Sequence, residues 1–371
     1  MAKLLIHGGK KITGKLRVNG AKNAALPIMA ACILVKGEVI LKRVPDISDV
    51  WVMANILRSL GAEVDFEGRG EMRINTDNIS ITTAPYELVK QIHASFDITG
   101  PLLARFDKAE VHLPGGCVIG TRAVDLHIEG FEKLGAEVEM EHGILKAKRK
   151  ELKGARIYFP KSSVGATKNI MMAACLSGGR TILENAAREP EVADLGGFLV
   201  KCGAKISGIG TSNIEIEGVK RLKGAEYSII SDRIEAGTYL FASVITEGDV
   251  YLEDIDPKFL ESVIAKIEST GQKVEKGENW IRLKATRPVR ALEITTAPFP
   301  GFPTDLQPPL ASVLTVADGT SIIEETIFDG RFNYVDELRR MGADIRVHDK
   351  SAVVKGVKKL TGAPVDAMDI R

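Results

Sequence analysis

LRSLGAEV, residues 57–64, returns four times along the chain: as FEKLGAEV at 131–138, LVKCGAKI at 199–206, IESTGQKV at 267–274 and LRRMGADI at 338–345. The glycines at its centre are Gly61, Gly135, Gly203, Gly271 and Gly342, spaced 74, 68, 68 and 71 residues apart. A near-constant period marks one supersecondary unit copied several times. Each phrase reads as the end of an amphipathic helix, a glycine that stops it in the left-handed conformation, and a strand. In the first copy Val50, Met53, Ile56, Leu57 and Leu60 share one helical face, and beyond the turn Val64 and Phe66 alternate with charged residues.

Upstream of most copies the pattern predicts a second helix, a glycine and a strand. Ala24–Val35 leads to Gly37 and Val39–Leu41. Ile170–Leu176 leads to Gly178-Gly179 and Thr181–Leu183. Ala236–Ile245 leads to Gly248 and Val250–Leu252, and Leu306–Val316 to Gly319 and Ser321–Ile323. The unit is therefore βαβαββ. One such unit buries too little apolar surface to stand alone, whereas several can share a core. Copy two departs from the pattern: its first helix, near Ala94–Phe106, is followed by the glycine-rich loop Pro114-Gly115-Gly116-Cys117.

The 371 residues are 44% hydrophobic with a formal net charge of +1, which points to a soluble globular protein, more readily two domains than one. That charge argues against a general nucleic-acid binder. The longest apolar run, Pro27–Val35, is too short to span a bilayer, and Met1–Gly14 carries no signal-peptide pattern, so no membrane association is expected. Cys32, Cys117, Cys175 and Cys202 form neither a disulfide framework nor a zinc pattern, and a cytoplasmic location is expected.

Asn19-Gly20-Ala21-Lys22-Asn23 stands before the first helix of copy one, and Gly165-Ala166-Thr167-Lys168-Asn169 at the same place in copy three. Free N–H groups, the positive end of a helix dipole and a lysine together suit a phosphate or carboxylate. The alternative is a pair of ordinary helix starts carrying exposed lysines. Cys117 follows two glycines and precedes Arg122 by five residues. A nearby cation favours thiolate, whereas a buried structural thiol is the commoner fate of a free cysteine. Cys32, Cys175 and Cys202 lie in apolar helical stretches and fit the second description. Asp305 in Phe302-Pro303-Thr304-Asp305 is either a helix cap or a general base for a hydroxyl. Arg331 follows Asp329-Gly330, where a solvated surface arginine is the plain alternative.

In order along the chain stand Lys22-Asn23, the loop Pro114–Cys117 with Arg122, Lys161 with Ser163-Val164-Gly165-Ala166-Thr167, the run Glu184–Glu191, Pro303-Thr304-Asp305, Arg331 and the closing Asp369-Ile370-Arg371. With these the chain resembles, over its whole length, the UDP-N-acetylglucosamine 1-carboxyvinyltransferases, which are enolpyruvyl transferases. The run Glu184–Glu191 and the cysteine loop carry the most specific part of the likeness. The resemblance implies an α/β (α+β) fold, a two-domain inside-out α/β barrel of βαβαββ units with the helices inside. Residues 22–230 would form a continuous domain of three units. Residues 1–21 plus 231–371 would form a discontinuous one, with two units and the start of a third.

The resemblance further implies transfer of enolpyruvyl from phosphoenolpyruvate to the 3-hydroxyl of UDP-N-acetylglucosamine, with release of phosphate, as the step that commits the sugar nucleotide to peptidoglycan. The site would lie in a cleft that closes on the sugar nucleotide. Lys22, Arg122, Arg331 and Arg371 would surround the anionic substrate. Cys117 would donate a proton, assist product release and be alkylated by fosfomycin, and Asp305 would be the base. Asn23, His93, Arg122, Ala123, Val124, Asp125, Leu126, Lys161, Ser163, Val164, Gly165, Asp305, Ile327 and Asp369 would complete substrate binding. No metal or organic cofactor is implied, because the leaving phosphate is already activated in the substrate. The shikimate-pathway enolpyruvyl transferase is the nearest alternative, but it lacks the cysteine loop. An RNA 3′-terminal phosphate cyclase would show a catalytic histidine motif and a more basic face. An inactive, truncated paralogue or repeat scaffold is the remaining alternative.

Two departures from the family pattern stand out. Asp369-Ile370-Arg371 would open a sixth copy, so the expectation is a truncated chain, less stable than a longer one and exposing apolar surface where that copy would pack. The family often carries an arginine where this chain has His93, and an imidazole titrates near neutrality where a guanidinium does not. His93→Arg is therefore expected to lower the KM for one substrate; identical kinetics of the two proteins across pH 6 to 9 would remove the idea.

Overall fold

The computed structural model describes residues 3–113, 124–149 and 151–367. Within them four of the five copies of the repeat are wired alike. A lead strand lies parallel to a central strand; the last strand runs antiparallel on the other side of that centre, and the third strand is outermost. In copy three Arg156–Tyr158 pairs with Arg180–Glu184, which pairs with Asn213–Glu217 and through it Lys205–Ser207. Copy one follows the order Glu226–Ser228, Glu38–Lys42, Glu71–Asn75, Glu63–Phe66. Copy four follows Thr13–Arg17, Asp249–Glu253, Trp280–Lys284, Val274–Lys276. Copy five follows Glu293–Thr295, Thr320–Glu324, Ser351–Lys355, Asp344–His348. Copy two has Lys108–His112, Ile144–Arg149 and Ala136–Glu141, with a single parallel bridge from Thr83 to Glu110 where the others have a lead strand.

The source of each lead strand decides the organisation. Copy one borrows its own from the segment after copy three, closing that set of three on itself. Copy four borrows its own from the start of the chain. Two compact units result, one running from Asn19 to Ile230 and one joining the residues up to Val18 with those from Ser231 onward. Each has its own apolar core. In the first unit the helices Lys22–Ala31 and Val164–Ala174 are buried from Ala24 to Ala31 and from Ala166 to Ala174, the first apolar on every side beyond Asn23 and the second carrying Thr167, Lys168 and Asn169 as enclosed polar residues. A helix with no polar face belongs at the centre. The helix Ser48–Leu60 is amphipathic and buries Val50, Met53, Ala54, Ile56, Leu57 and Leu60. The sheets cover these helices with alternate side chains, such as Val39, Leu41, Met72 and Ile74. This is the helices-inside α/β arrangement that the resemblance implied. Among the described residues no helix is long and apolar enough to cross a membrane.

All five repeat glycines have positive φ: 106° at Gly61, 95° at Gly135, 105° at Gly203, 92° at Gly271 and 94° at Gly342. Several expected boundaries shift. The helix from Ala24 ends at Ala31, followed by a 3₁₀ turn at Cys32–Leu34. The helix of copy five starts with a 3₁₀ turn, Thr304–Leu306, before Gln307–Leu314. In copy two the 3₁₀ segment His93–Ile98 leads into Thr99–Phe106, and a strand, Lys108–His112, intervenes before Pro114. The turn there is Asp107 at φ 63°, a residue type that tolerates the left-handed region and so left no glycine to read.

A buried polar clip ties copies two and three together. Lys168 Nζ lies 2.9 Å from Asp97 Oδ2, both almost fully enclosed. Beside it the Asn169 amide accepts from Gly100 N–H at 2.9 Å and donates to Phe96 C=O at 3.2 Å. Those partners orient the amide, so its N–H also faces His127 Nδ1 at 3.2 Å, which must then accept and leave the ring proton on Nε2. Burial, and then the charge of Lys168, push the His127 pKa down to about 4.

Two outcomes are expected. A Cβ at Gly61 would meet Asn78 O at 2.8 Å, whereas one at Gly203 meets nothing within 4 Å. Both Ala variants lose about 1 kcal/mol to left-handed strain, and Gly61→Ala should lose at least as much again by collision. Equal urea midpoints for the two variants would contradict this. For His127, the unfolded ring titrates near pH 6.5 and the folded ring near 4, so on acidification the unfolded chain binds the proton first. Its effect is absent above about pH 6.5, and stability falls from there towards pH 4 by up to ~1.4 kcal/mol per pH unit. His127→Gln should flatten this limb in urea unfolding series at pH 7, 5.5 and 4.5; an unchanged limb would refute it.

Candidate functional site

Asp305 sits in the 3₁₀ turn Thr304–Leu306 and does not cap it, since Pro303 and Leu306 hold the capping positions of that turn and of the helix after it. Its carboxylate instead accepts from Arg331 Nη1 at 2.7 Å. Arg331 is no solvated surface residue: its side chain is 1% exposed, against 20% for Asp305, so the carboxylate alone reaches the surface. The same Nη1 lies 3.2 Å from Thr304 Oγ, whose hydroxyl donates to Glu325 Oε2 at 2.9 Å. Glu325 is completely buried. Its other oxygen accepts from Thr296 Oγ at 2.9 Å, Ile327 N–H at 2.8 Å and Phe328 N–H at 3.1 Å. Gln307 donates to Arg331 C=O at 3.1 Å and accepts from Tyr334 O–H at 2.6 Å. Three of the expected residues, Asp305, Ile327 and Arg331, are thus joined by one buried network.

Others of the expected set lie in the unit Asn19–Ile230. Lys22 is the first residue of its helix rather than a residue before it, and its Nζ lies 3.1 Å from Asp49 Oδ2, in the first turn of the next helix. Asn23 beside it and His93, at the start of its 3₁₀ segment, are half-buried. Ser163 caps the helix Val164–Ala174, its Oγ accepting from Ala166 N–H at 3.3 Å. Val124, exposed Asp125 and Leu126 open the helix Asp125–Lys133, which carries His127. A Cβ built on Gly165 would stand 3.1 Å from His127 Nε2, so this close approach brings the segments 124–126 and 163–165 together. Lys161 is exposed and Val164 is exposed at the helix start. Lys168, which shares the Lys22 pattern, is instead enclosed against Asp97; it is neither an exposed lysine nor open to a ligand.

Cys117, Arg122, Ala123, Asp369 and Arg371 lie outside the described residues. Cys32, Cys175 and Cys202 are buried free thiols, as their apolar surroundings imply. Burial pushes Cys175 and Cys202 up to about 12, far from any reactive thiolate. The run Glu184–Glu191 is largely scaffold. Glu184 pairs with Arg156 through both oxygens at 2.6 and 2.9 Å, and Asn185 at φ 55° donates to Phe159 C=O at 2.8 Å. Ala187 N–H donates to Thr167 Oγ at 3.0 Å, which locks the turn onto the central helix. Sequence reading missed Asp49, Asp97, His127, Thr296 and Glu325. Nothing local distinguishes them from surface polar residues; their partners lie 27 to 71 residues away or, for Glu325, include a threonine 29 residues off.

The family model described as EPSP synthase (3-phosphoshikimate 1-carboxyvinyltransferase) matches residues 6–371. The UDP-N-acetylglucosamine 1-carboxyvinyltransferase 2 of Carboxydothermus hydrogenoformans is 47% identical over 100% of this chain and 89% of its own length. The UDP-N-acetylglucosamine 1-carboxyvinyltransferase of Shewanella denitrificans is 48% identical, again over 100% and 89%. Among solved structures, the enolpyruvyl transferase NikO from Streptomyces tendae superposes with a TM-score of 0.84 at 23% identity, covering 95% of this chain and 83% of that one. EPSP synthase from Acinetobacter baumannii superposes at 0.70 and 18% identity, covering 96% and 85%. The superpositions agree with the sequence matches on one fold, and the chain belongs to the enolpyruvyl transferase family that the EPSP synthase model describes.

Proposed function

We propose that this protein transfers the enolpyruvyl group of phosphoenolpyruvate to the 3-hydroxyl of UDP-N-acetylglucosamine, releasing phosphate, in the cytoplasm and in the service of peptidoglycan synthesis. The observation that carries this reading is the 47–48% identity, across the whole chain, with proteins of that name. In this reading Asp305 takes the hydroxyl proton as the sugar oxygen bonds to C2 of phosphoenolpyruvate, and Cys117 supplies a proton to C3. Loss of a C3 proton with cleavage of the C2–O bond to phosphate then restores the vinyl group. The geometry accords with that division of labour: a carboxylate with one open face is held from behind by an enclosed guanidinium, so it has little freedom to turn away. Lys22, Arg122 and Arg371 are the cations proposed to gather on the anionic groups, while Arg331, expected beside them, is enclosed behind Asp305 and acts through that carboxylate. His93, Asn23, residues 123–126, Lys161, Ser163–Gly165, Ile327 and Asp369 are proposed to hold the substrates.

The test is phosphate release from phosphoenolpyruvate by this chain. Release should require UDP-N-acetylglucosamine, vanish in Cys117→Ala and fall by roughly 100-fold or more in Asp305→Asn. Fosfomycin should block release by the wild-type chain and should form a covalent adduct with it that Cys117→Ala does not form. Release that depends instead on shikimate 3-phosphate would move the protein to the activity for which the family model is described.

A further inference from the structure

Arg331 and Asp305 form a salt bridge that is enclosed on one side and open on the other. An arginine so placed needs its remaining donors met, or it turns. Its Nη1 has a second acceptor, Thr304 Oγ, at 3.2 Å. A hydroxyl has one proton and can accept from Arg331 in this direction only while that proton points elsewhere. Glu325 Oε2, 2.9 Å away, is where it points. Glu325 in turn is held by Thr296 and by the backbone N–H groups of Ile327 and Phe328, so it is fixed before Thr304 is. A chain of single-direction hydrogen bonds runs from Glu325 through Thr304 to Arg331 and Asp305.

We propose that Glu325 is a positioning residue for the transfer reaction: through the Thr304 hydroxyl it sets the Arg331 guanidinium, which sets the Asp305 carboxylate. Glu325 touches no substrate in this scheme, and the inference rests on the reading of Asp305 as the base. It makes the chemistry depend on a carboxylate that has no access to the surface.

Glu325→Gln reverses the bond to Thr304 by placing an amide donor there, but it also removes the charge that strengthens the bonds from the 327 and 328 N–H groups and risks misfolding. Thr304→Val removes the link and leaves those backbone bonds intact. It should lower kcat about tenfold, keep the KM for UDP-N-acetylglucosamine within about twofold and stay folded with a Tm lowered by only a few degrees, while Thr304→Ser restores both kcat and Tm. In an Asp305→Asn background, measured by single turnover, Thr304→Val should cost nothing further, because its effect passes through Asp305. Wild-type kcat in Thr304→Val, no rescue by serine, or a loss that persists undiminished in the Asn background would overturn the proposal. Wild-type activity in Asp305→Asn alone would instead overturn the base reading on which it rests.

Discussion

A β-strand with an open edge must find a partner or expose a row of unmet N–H and C=O groups. In this protein that requirement sets the architecture. The central strand of a copy is served on one side by its own last strand and, in copies one and four, on the other by a lead strand from elsewhere in the chain. In copy one that partner is Glu226–Ser228, which arrives only after two more copies have been built. In copy four it is Thr13–Arg17, from the far end of the sequence. Copies three and five carry their lead strands just upstream, at Arg156–Tyr158 and Glu293–Thr295, whereas copies one and four are unfinished until a distant segment arrives. The apolar helix Lys22–Ala31 follows from this: from Ala24 to Ala31 it has no polar side chain to offer water and is stable only when its neighbours surround it.

Within this frame polar groups are buried as linked sets. Lys168 with Asp97 and Arg331 with Asp305 are enclosed ion pairs whose remaining donors and acceptors are largely met by asparagine, threonine and backbone. Such pairs add little net stability, because desolvation offsets the attraction. What they supply is orientation. Each ties segments from separate elements, and each has one energetically sensible arrangement. The two sets differ in what faces out: the Lys168 set is closed, whereas the Asp305 set leaves a carboxylate partly exposed.

The repeat was legible because it depends on local rules. Helical spacing at Val50–Leu60, the glycine after it and the alternation at Val64 and Phe66 are nearest-neighbour effects, and all five turn glycines adopt the conformation their position requires. Boundaries were less legible where a 3₁₀ turn joins a helix: Cys32–Leu34 continues the apolar pattern of the helix before it, and Leu306 at the end of Thr304–Leu306 already falls in the pattern of the helix after it. Asp107 hid a turn because aspartate also serves on the surface. Of the site, Asp305 and Arg331 could be named from the resemblance. Their mutual contact, and the burial of Glu325, could not, because burial of a charge is decided by strands and loops distant in sequence. Lys168 shows the converse: the same short pattern as Lys22 acquires a different environment when Asp97 stands opposite it.

The parallel pairing of Thr13–Arg17 with Asp249–Glu253 has a consequence for how the protein is made. A ribosome emits the lead strand first and its partner more than two hundred residues later, on the order of ten to fifty seconds at ordinary elongation rates. During that interval residues 19–230 can complete their own edges, so one unit can fold while the strand ahead of it waits. The long separation itself adds little thermodynamically, since each doubling of a loop costs only about 0.6 kcal/mol. The cost is in time: a nascent chain carries an unpaired β-strand at its leading end, available to whatever meets it, until the second unit emerges to claim it.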